Sequence, residues 1–374
     1  MIYLDYNATT PLAPEVREKL AALIQLSLGN PSSLHKLGQE AAVLLLTARQ
    51  QIAQSLGCLS SEIIFTSSGT ESDLSALRGV LQATQKKHLV ISAVEHPAIR
   101  LGAIQLKKQG YSVTEIGVSS TGTLNWNTLQ DAITEQTALV SMMMANNETG
   151  ILFPIQEIAQ LCQQKKILFH TDAVQAWGKI PLQVQTLGVD LLSVSGHKIY
   201  GPTGCGVLYL RKGTPFEPLI PGHQETERRG GTENLFGIVG TGVAASLISQ
   251  RLLDGPRLQK LRDLFEEKLR GSSLAVRFNG SETARVPNTS NVSFSQVDSQ
   301  RLLMLLNREQ IYCSSGSACS AGKKEPSSVL KAMKVPSQDI FGTLRISLGS
   351  ETTLEQIEFL CQVLKSKVPQ LVSK

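Results

Sequence analysis

The sequence predicts an α/β fold: a large domain built on a mainly parallel sheet, plus a smaller α+β domain. Three observations predict it. Between residues 62 and 210, short apolar runs alternate with stretches of helical period, the pattern of βαβ units. Five of those runs end in clusters of polar residues, and open α/β sheets bind ligands at such strand ends. Near Asp254-Gly255-Pro256 the chain changes character, to a charged amphipathic helix followed by shorter strands and helices. The 374 residues suit two domains at roughly 150 residues each. We place the large domain at 14–252 and the small one at 1–13 and 253–374.

Composition narrows the function. Apolar residues make up 41% of the chain, enough for a packed core. No apolar run reaches the roughly 18 residues of a membrane span, and the first residues lack the basic start and apolar stretch of a secretory signal. The expected location is therefore cytoplasmic, without membrane contact. A net charge of +5, spread along the chain, does not suggest a nucleic-acid partner.

Residues 3–11 are polar and turn-rich and read as an arm rather than a core element. Pro14 suits the first turn of a helix, and Val16, Leu20, Leu23 and Ile24 give that helix an apolar stripe. Gly29-Asn30-Pro31-Ser32-Ser33 is a loop. A longer helix, from about 35 to 56, stops at Gly57. The strand-like runs follow. Residues 62–66 lead into Ser67-Ser68-Gly69-Thr70-Glu71, and 89–92 into Val94-Glu95-His96-Pro97. Residues 138–144 lead into Asn146-Asn147-Glu148-Thr149-Gly150, and 167–171 into Asp172-Ala173-Val174-Gln175. The fifth run, 189–192, breaks into Ser193-Val194-Ser195-Gly196-His197-Lys198. A strand at 207–210, a proline-rich loop and Arg228-Arg229-Gly230-Gly231-Thr232 come next, then helix from Ile238. In the second domain the helix 257–269 is followed by elements at 276–278, 289–294, 299–307, 342–348 and 353–365.

Lys198 is the informative residue. A charged amine just past a buried strand is costly unless something uses it, and a desolvated lysine readily forms a Schiff base with an aldehyde. Pyridoxal phosphate is such an aldehyde, and the other strand ends supply what it needs. Ser68-Gly69-Thr70 opens a helix whose free N–H groups suit a phosphate; Ser195 and His197 extend that cradle. Asp172 suits the pyridinium nitrogen, His96 can stack on the ring, and Gln175 and Asn147 can reach the ring hydroxyl. Each residue also has a structural reading: Lys198 as a surface lysine, Asp172 as a helix cap, His96 as a strand-end histidine before proline, Asn147 as a turn residue. The segment 228–234 is either a solvated turn or a further phosphate contact supplied across a dimer interface.

Six cysteines contain no Cys-x-x-Cys pair, which argues against a zinc ribbon or a thioredoxin-like site. Cys162 and Cys361 lie on apolar helix faces, and Cys313 ends a strand-like run. Cys319 differs. It lies in a Ser/Gly-rich stretch, about 313–326, expected to form a mobile loop. An exposed thiol there, beside Lys323 and Lys324, favours the reactive thiolate. With a lysine-bound aldehyde, such a thiol can take sulfur from the β-carbon of an amino acid and hold it as a persulfide. The guanidinium of Arg345, in a strand-like run, matches an α-carboxylate bidentately, with Asn30 assisting. Its structural alternative is a rim salt bridge.

Taken together, the sequence resembles the cysteine desulfurases of the NifS/IscS kind, in the class V aminotransferase group of fold-type I pyridoxal-phosphate enzymes. The likeness runs through Tyr3-Leu4-Asp5-Tyr6-Asn7-Ala8-Thr9-Thr10-Pro11, Gly29-Asn30-Pro31-Ser32-Ser33, Thr66-Ser67-Ser68-Gly69-Thr70-Glu71-Ser72, Glu95-His96-Pro97 and Asn146-Asn147-Glu148-Thr149-Gly150. It continues through His170-Thr171-Asp172-Ala173-Val174-Gln175, Ser193 to Lys198, Arg229-Gly230-Gly231-Thr232 and Ser315-Gly316-Ser317-Ala318-Cys319. The resemblance implies a large domain with a seven-stranded sheet, and L-cysteine as substrate, converted to L-alanine. It implies catalysis by Cys319, Lys198 and His96, cofactor contacts from Gly69, Thr70, Asn147, Asp172, Gln175, Ser195 and His197, and a substrate carboxylate held by Arg345 and Asn30. It also implies a homodimer in which Thr232 reaches the other subunit's phosphate, and delivery of sulfur to an iron–sulfur scaffold or another acceptor protein. No resident metal is implied, although a Cys319 persulfide could meet an iron–sulfur cluster transiently. Two departures stand out. Ser68-Gly69-Thr70, followed by Ser72-Asp73-Leu74, differs from the family's usual Gly-Ala-Thr and Asn-bearing version. The chain also stops at Lys374, soon after its last predicted helix, which bears on scaffold docking and not on the chemistry. The alternatives are a selenocysteine lyase or cysteine sulfinate desulfinase, another class V aminotransferase-like enzyme, or a non-catalytic cofactor-binding protein.

Overall fold

The structure is a computed structural model and describes residues 1–315 and 326–372. A short strand, β1 (Ile2–Tyr3), opens the chain. The central sheet takes β2 (Ile63–Thr66), β3 (His88–Ser92), β4 (Ser112–Ile116), β5 (Thr137–Ser141), β6 (Leu168–Asp172), β7 (Leu191–Ser195) and β8 (Gly206–Leu210). Their order in space is β2-β8-β7-β6-β5-β3-β4. Only β8 runs against its neighbours, so β2, β3, β5, β6 and β7 all end at one edge.

Helices cover both faces, and β5, β7 and β8 are buried along their whole length. That burial explains their near-continuous apolar sequences. β7 extends through Ser195, beyond the break read at Ser193. Small polar residues remain in the strand because partners exist within the sheet: the Ser193 hydroxyl meets His170 Nε2 on β6 at 3.0 Å. The edge strand β4, Ser-Val-Thr-Glu-Ile, carries no long apolar run and was not foreseen. The helix Lys36–Leu56 stops at Gly57, whose φ of 70° is a left-handed cap.

The second unit has β9 (Val276–Phe278), β10 (Thr289–Phe294), β11 (Ile311–Tyr312) and β12 (Thr343–Ser347). β10 lies antiparallel between β9 and β12, and β11 pairs in parallel with β1. Ile2 and Leu4 share an apolar core with Leu261, Phe265, Phe294 and Ile346. Val286, Val329, Leu330 and Met333 pack instead into the core of the large sheet.

The N-terminal arm departs from its sequence reading. Leu4, Tyr6 and Asn7 are almost fully buried, and the segment threads between the two sheets. Its polarity reflects burial against other polar groups, not exposure. Among the described residues, no single helix is long and apolar enough to cross a membrane.

Candidate active site

Lys198 ends a short turn, Gly196–Lys198, directly after β7. Its Nζ donates to the carbonyls of Asn7 and Ala8, each at 2.6 Å. Two backbone oxygens form a good seat for an ammonium group, and the N-terminal arm supplies both. His197 Nδ1 lies 3.1 Å from the Thr9 hydroxyl, and burial together with the Lys198 charge lowers its pKa to about 4.

At one end of the sheet edge, the helix Gly69–Ala83 starts with Ser68 as its cap, the Ser68 hydroxyl accepting from the Glu71 N–H. Gly69 is buried, and a Cβ there would lie 2.9 Å from Val174 and 3.5 Å from the Ser195 side chain. Gly206 matters more: a Cβ there would come within 2.2 Å of the Ser68 carbonyl. Glycine thus lets β8 pass against the loop that opens the helix. Thr70 is exposed beside this opening.

Asp172 ends β6. It is buried, and its Oδ1 accepts from the Val174 N–H at 2.9 Å, which closes a turn; no helix starts here, so the helix-cap reading does not hold. Burial pushes its carboxyl up to about 6, against the opposing pull of the Lys198 charge. His96 caps the helix Pro97–Lys108 by accepting from Ala98 at 3.2 Å. Burial, then the nearby Lys198 charge, lowers its pKa to about 4, so its imidazole is neutral at physiological pH. His96 fills its structural role, and both residues face the same site: ligand-type atoms of His96, Asp172 and Asp73 lie within 4.8 Å of one another.

Arg345, in the middle of β12, is 3% exposed and pairs with Asp5 at 2.7 Å. It also donates to the Asn147 carbonyl at 3.1 Å. Its Nε is buried without a partner. The salt-bridge reading therefore holds in a buried form, with one donor left over. Gln175 donates to the Asn7 carbonyl at 2.9 Å. Asn30 and Thr232 are exposed, and the Asn30 side chain bonds within its own loop, accepting from Ser32. Cys319 lies outside the described residues.

Sequence reasoning passed over the residue that ties these groups together. Asn7, 1% exposed, donates to the Asn147 carbonyl and to Thr289 Oγ1. Its carbonyl receives Lys198 and Gln175, and its Oδ1 receives Lys179 Nζ at 2.7 Å. Lys179 is itself buried, and burial with the nearby Lys198 and Arg345 charges drives its pKa well below that of an ordinary amine. A lysine after glycine in a turn looks like a surface residue, so no sequence signal marked it.

Glu95 adds a stability consequence. Its Oε1 accepts from the Ser92 hydroxyl and the Met143 N–H, while Oε2 is buried without a partner. Burial raises its carboxyl to about 8. Between about pH 4.5 and 8 the folded protein keeps a proton on Glu95 that the unfolded chain has released, so this group's contribution to stability falls as pH rises through that window, by up to about 1.4 kcal/mol per pH unit. Below pH 6.5, His96, His170 and His197, all lowered by burial, remove stability as pH falls. Glu95→Gln should raise the thermal midpoint more at pH 8 than at pH 5. An equal offset at both pH values would contradict this.

The donor set fits pyridoxal phosphate: an amine on two carbonyls, a long helix opening toward hydroxyl and imidazole groups, a buried carboxylate and a neutral imidazole. The class-V aminotransferase family matches residues 2–360. A cysteine desulfurase of Nostoc sp. is 45% identical over 374 residues, 99% of this chain and 94% of the relative. A solved NifS-like protein superposes with a TM-score of 0.92 at 34% identity, covering 99% of this chain and all of that one. Another solved structure, described as SspA in complex with cysteine, has a TM-score of 0.82 at 32% identity, covering 93% of this chain and 99% of its own.

Proposed function

We infer that this chain, which belongs to the class-V aminotransferase family, is a pyridoxal-phosphate-dependent cysteine desulfurase. It converts L-cysteine to L-alanine, and we assign the departing sulfur to Cys319. The observation that carries the reading is the placement of Lys198, on two arm carbonyls, at the sheet edge that also holds Asp172 and His96. The relative's activity at 45% identity supports it.

Gly69, Thr70, Ser195 and His197 would hold the cofactor phosphate, Asp172 its ring nitrogen, His96 its ring face, and Asn147 and Gln175 its hydroxyl. Bound there, pyridoxal phosphate supplies the electron sink that lets the Cα–H and Cβ–S bonds of cysteine break. Lys198 then works as an amine base, taking the α-proton and returning it. The neutral His96 can take the proton of the substrate amine or thiol without first losing one of its own. Arg345, with Asn30, holds the α-carboxylate. The Cys319 thiolate attacks the substrate sulfur: an S–S bond forms, the Cβ–S bond breaks with its electrons left on carbon, and a proton completes alanine.

The neighbour solved with cysteine supports L-cysteine as the ligand class. A homodimer, with Thr232 reaching the second copy's phosphate, fits the exposed Thr232. It also fits the exposed apolar side chains Ile24, Leu34, Val43, Leu46 and Phe236, which a second copy would cover. By the same resemblance, sulfur passes to an iron–sulfur scaffold or another acceptor protein, in a cytoplasm that keeps the thiol reduced.

The test is release of alanine and sulfide from L-cysteine with a thiol reductant present, for wild type and Cys319→Ser. Wild type should yield both in equal amounts. The variant should keep the colour of bound cofactor and lose at least about 10²-fold in rate. A variant with full activity would replace the persulfide with direct release of sulfide.

A further inference from the structure

Beside Asp172 and His96 lies a buried carboxyl, Asp73, that the reaction described above does not use. Asp73 sits one turn into the helix Gly69–Ala83, about 6 Å along the axis from Gly69. That helix therefore offers its opening to the phosphate and Asp73 to the opposite end of the cofactor site. Asp73 is 1% exposed, and its Oδ1 has no hydrogen-bond partner. The groups facing it are Asp172 and His170 from β6, Glu95 and His96 from the end of β3, and Ser193 from β7. The Lys198 charge also acts on Asp172.

None of these neighbours neutralises Asp73. His170 holds Ser141 Oγ at 2.8 Å on Nδ1 and Ser193 Oγ at 3.0 Å on Nε2. Both ring nitrogens are thus satisfied in the neutral form, and Asp73 Oδ1 is 3.8 Å away, beyond hydrogen-bond length. Burial keeps His170 uncharged, with its pKa near 3, and His96 is neutral as well. Two carboxylates this close, closed off from water, cannot both stay ionised; one proton must be shared.

We propose that Asp73 and Asp172 act as a one-proton pair, in which Asp73 holds the proton so that Asp172 carries the single negative charge toward the cofactor's ring nitrogen. Asp73 is then a positioning residue and a reserve counter-ion. When Asp172 is made neutral, Asp73 gives up its proton and supplies the charge instead. This rests on the reading of Asp172 as the ring-nitrogen partner. Merely structural packing by Asp73 would cost the same whether or not Asp172 is present.

The test uses holoenzyme reconstituted with ring-15N pyridoxal phosphate, reading the nitrogen's protonation by NMR and the cofactor dissociation constant at pH 8. The proteins are wild type, Asp73→Asn, Asp172→Asn and the double variant. We expect Asp172→Asn to weaken binding about tenfold while keeping part of the protonated-nitrogen signal. Adding Asp73→Asn should remove that signal and cost about another tenfold, more than the same change costs in wild type. If the added substitution costs no more than in wild type and the signal is unchanged, the shared proton is overturned. If Asp172→Asn alone leaves the signal at the wild-type level, the underlying assignment of Asp172 fails instead, and the pair with it. Should the double variant not fold, infrared spectra in a Glu95→Gln background, which removes the other protonated buried carboxyl, decide: the Glu95→Gln protein must show a protonated carboxylic acid band at pH 8 that the same protein with Asp73→Asn lacks, and a band that is missing or unmoved overturns the pair.

Discussion

Lys198→Ala is expected to lower alanine production from L-cysteine by at least about 10³-fold, because two functions leave with one amine. A positioned base contributes roughly 10² to 10⁴ in rate, and the covalent seat for an aldehyde is lost as well. The surrounding structure should survive. The Asn7 carbonyl keeps the Gln175 amide as a donor, while the Ala8 carbonyl loses the Lys198 donor. The variant should therefore fold, bind cofactor more weakly and release it on gel filtration, where wild type retains its colour. Added small amines should restore a fraction of the activity by entering the vacated space. Retention of a tenth or more of wild-type activity would show that another group takes the α-proton, and the buried Lys179 would be the first to examine.

Much of this site could be read in the sequence, for a physical reason. Polar residues placed directly after buried apolar runs are costly unless they serve one ligand, and five such ends align when the strands are parallel. Asp172, His96 and Lys198 were legible on that ground. The arm misled because polarity usually signals exposure. Asn7 is polar for another reason: it lies buried among amides, a carbonyl-seeking amine and the Thr289 hydroxyl, and only the tertiary fold brings those together. Lys179 and Asp73 were silent for the same reason, since their meaning depends on neighbours distant in sequence. The strand β4 escaped notice because an edge strand needs less apolar character than a central one. Arg345 lay between two readings, and it occupies the structural one while keeping a free donor.

That double role sets up the other large effect. Arg345 is pinned by Asp5, by the Asn147 carbonyl and by burial, so its guanidinium is already oriented before any substrate arrives. Little entropy is then lost on binding a carboxylate. Arg345→Lys keeps the charge and a contact for Asp5 but loses the planar fork, and a buried site rarely tolerates that exchange. It should reduce kcat/KM for L-cysteine by about 10² to 10³, roughly 3–4 kcal/mol in transition-state binding, with most of the change in KM. Cysteamine, which lacks the carboxylate, separates the two roles. If Arg345 holds the substrate, the variant should act on cysteamine within about threefold of wild type, because that interaction was never made. If Arg345 serves only to tie Asp5 and Asn147 together, the arm that carries Asn7 and Ala8 shifts with it and displaces the seat of Lys198. Both substrates would then lose activity equally, and the carboxylate-binding role would have to pass to another residue.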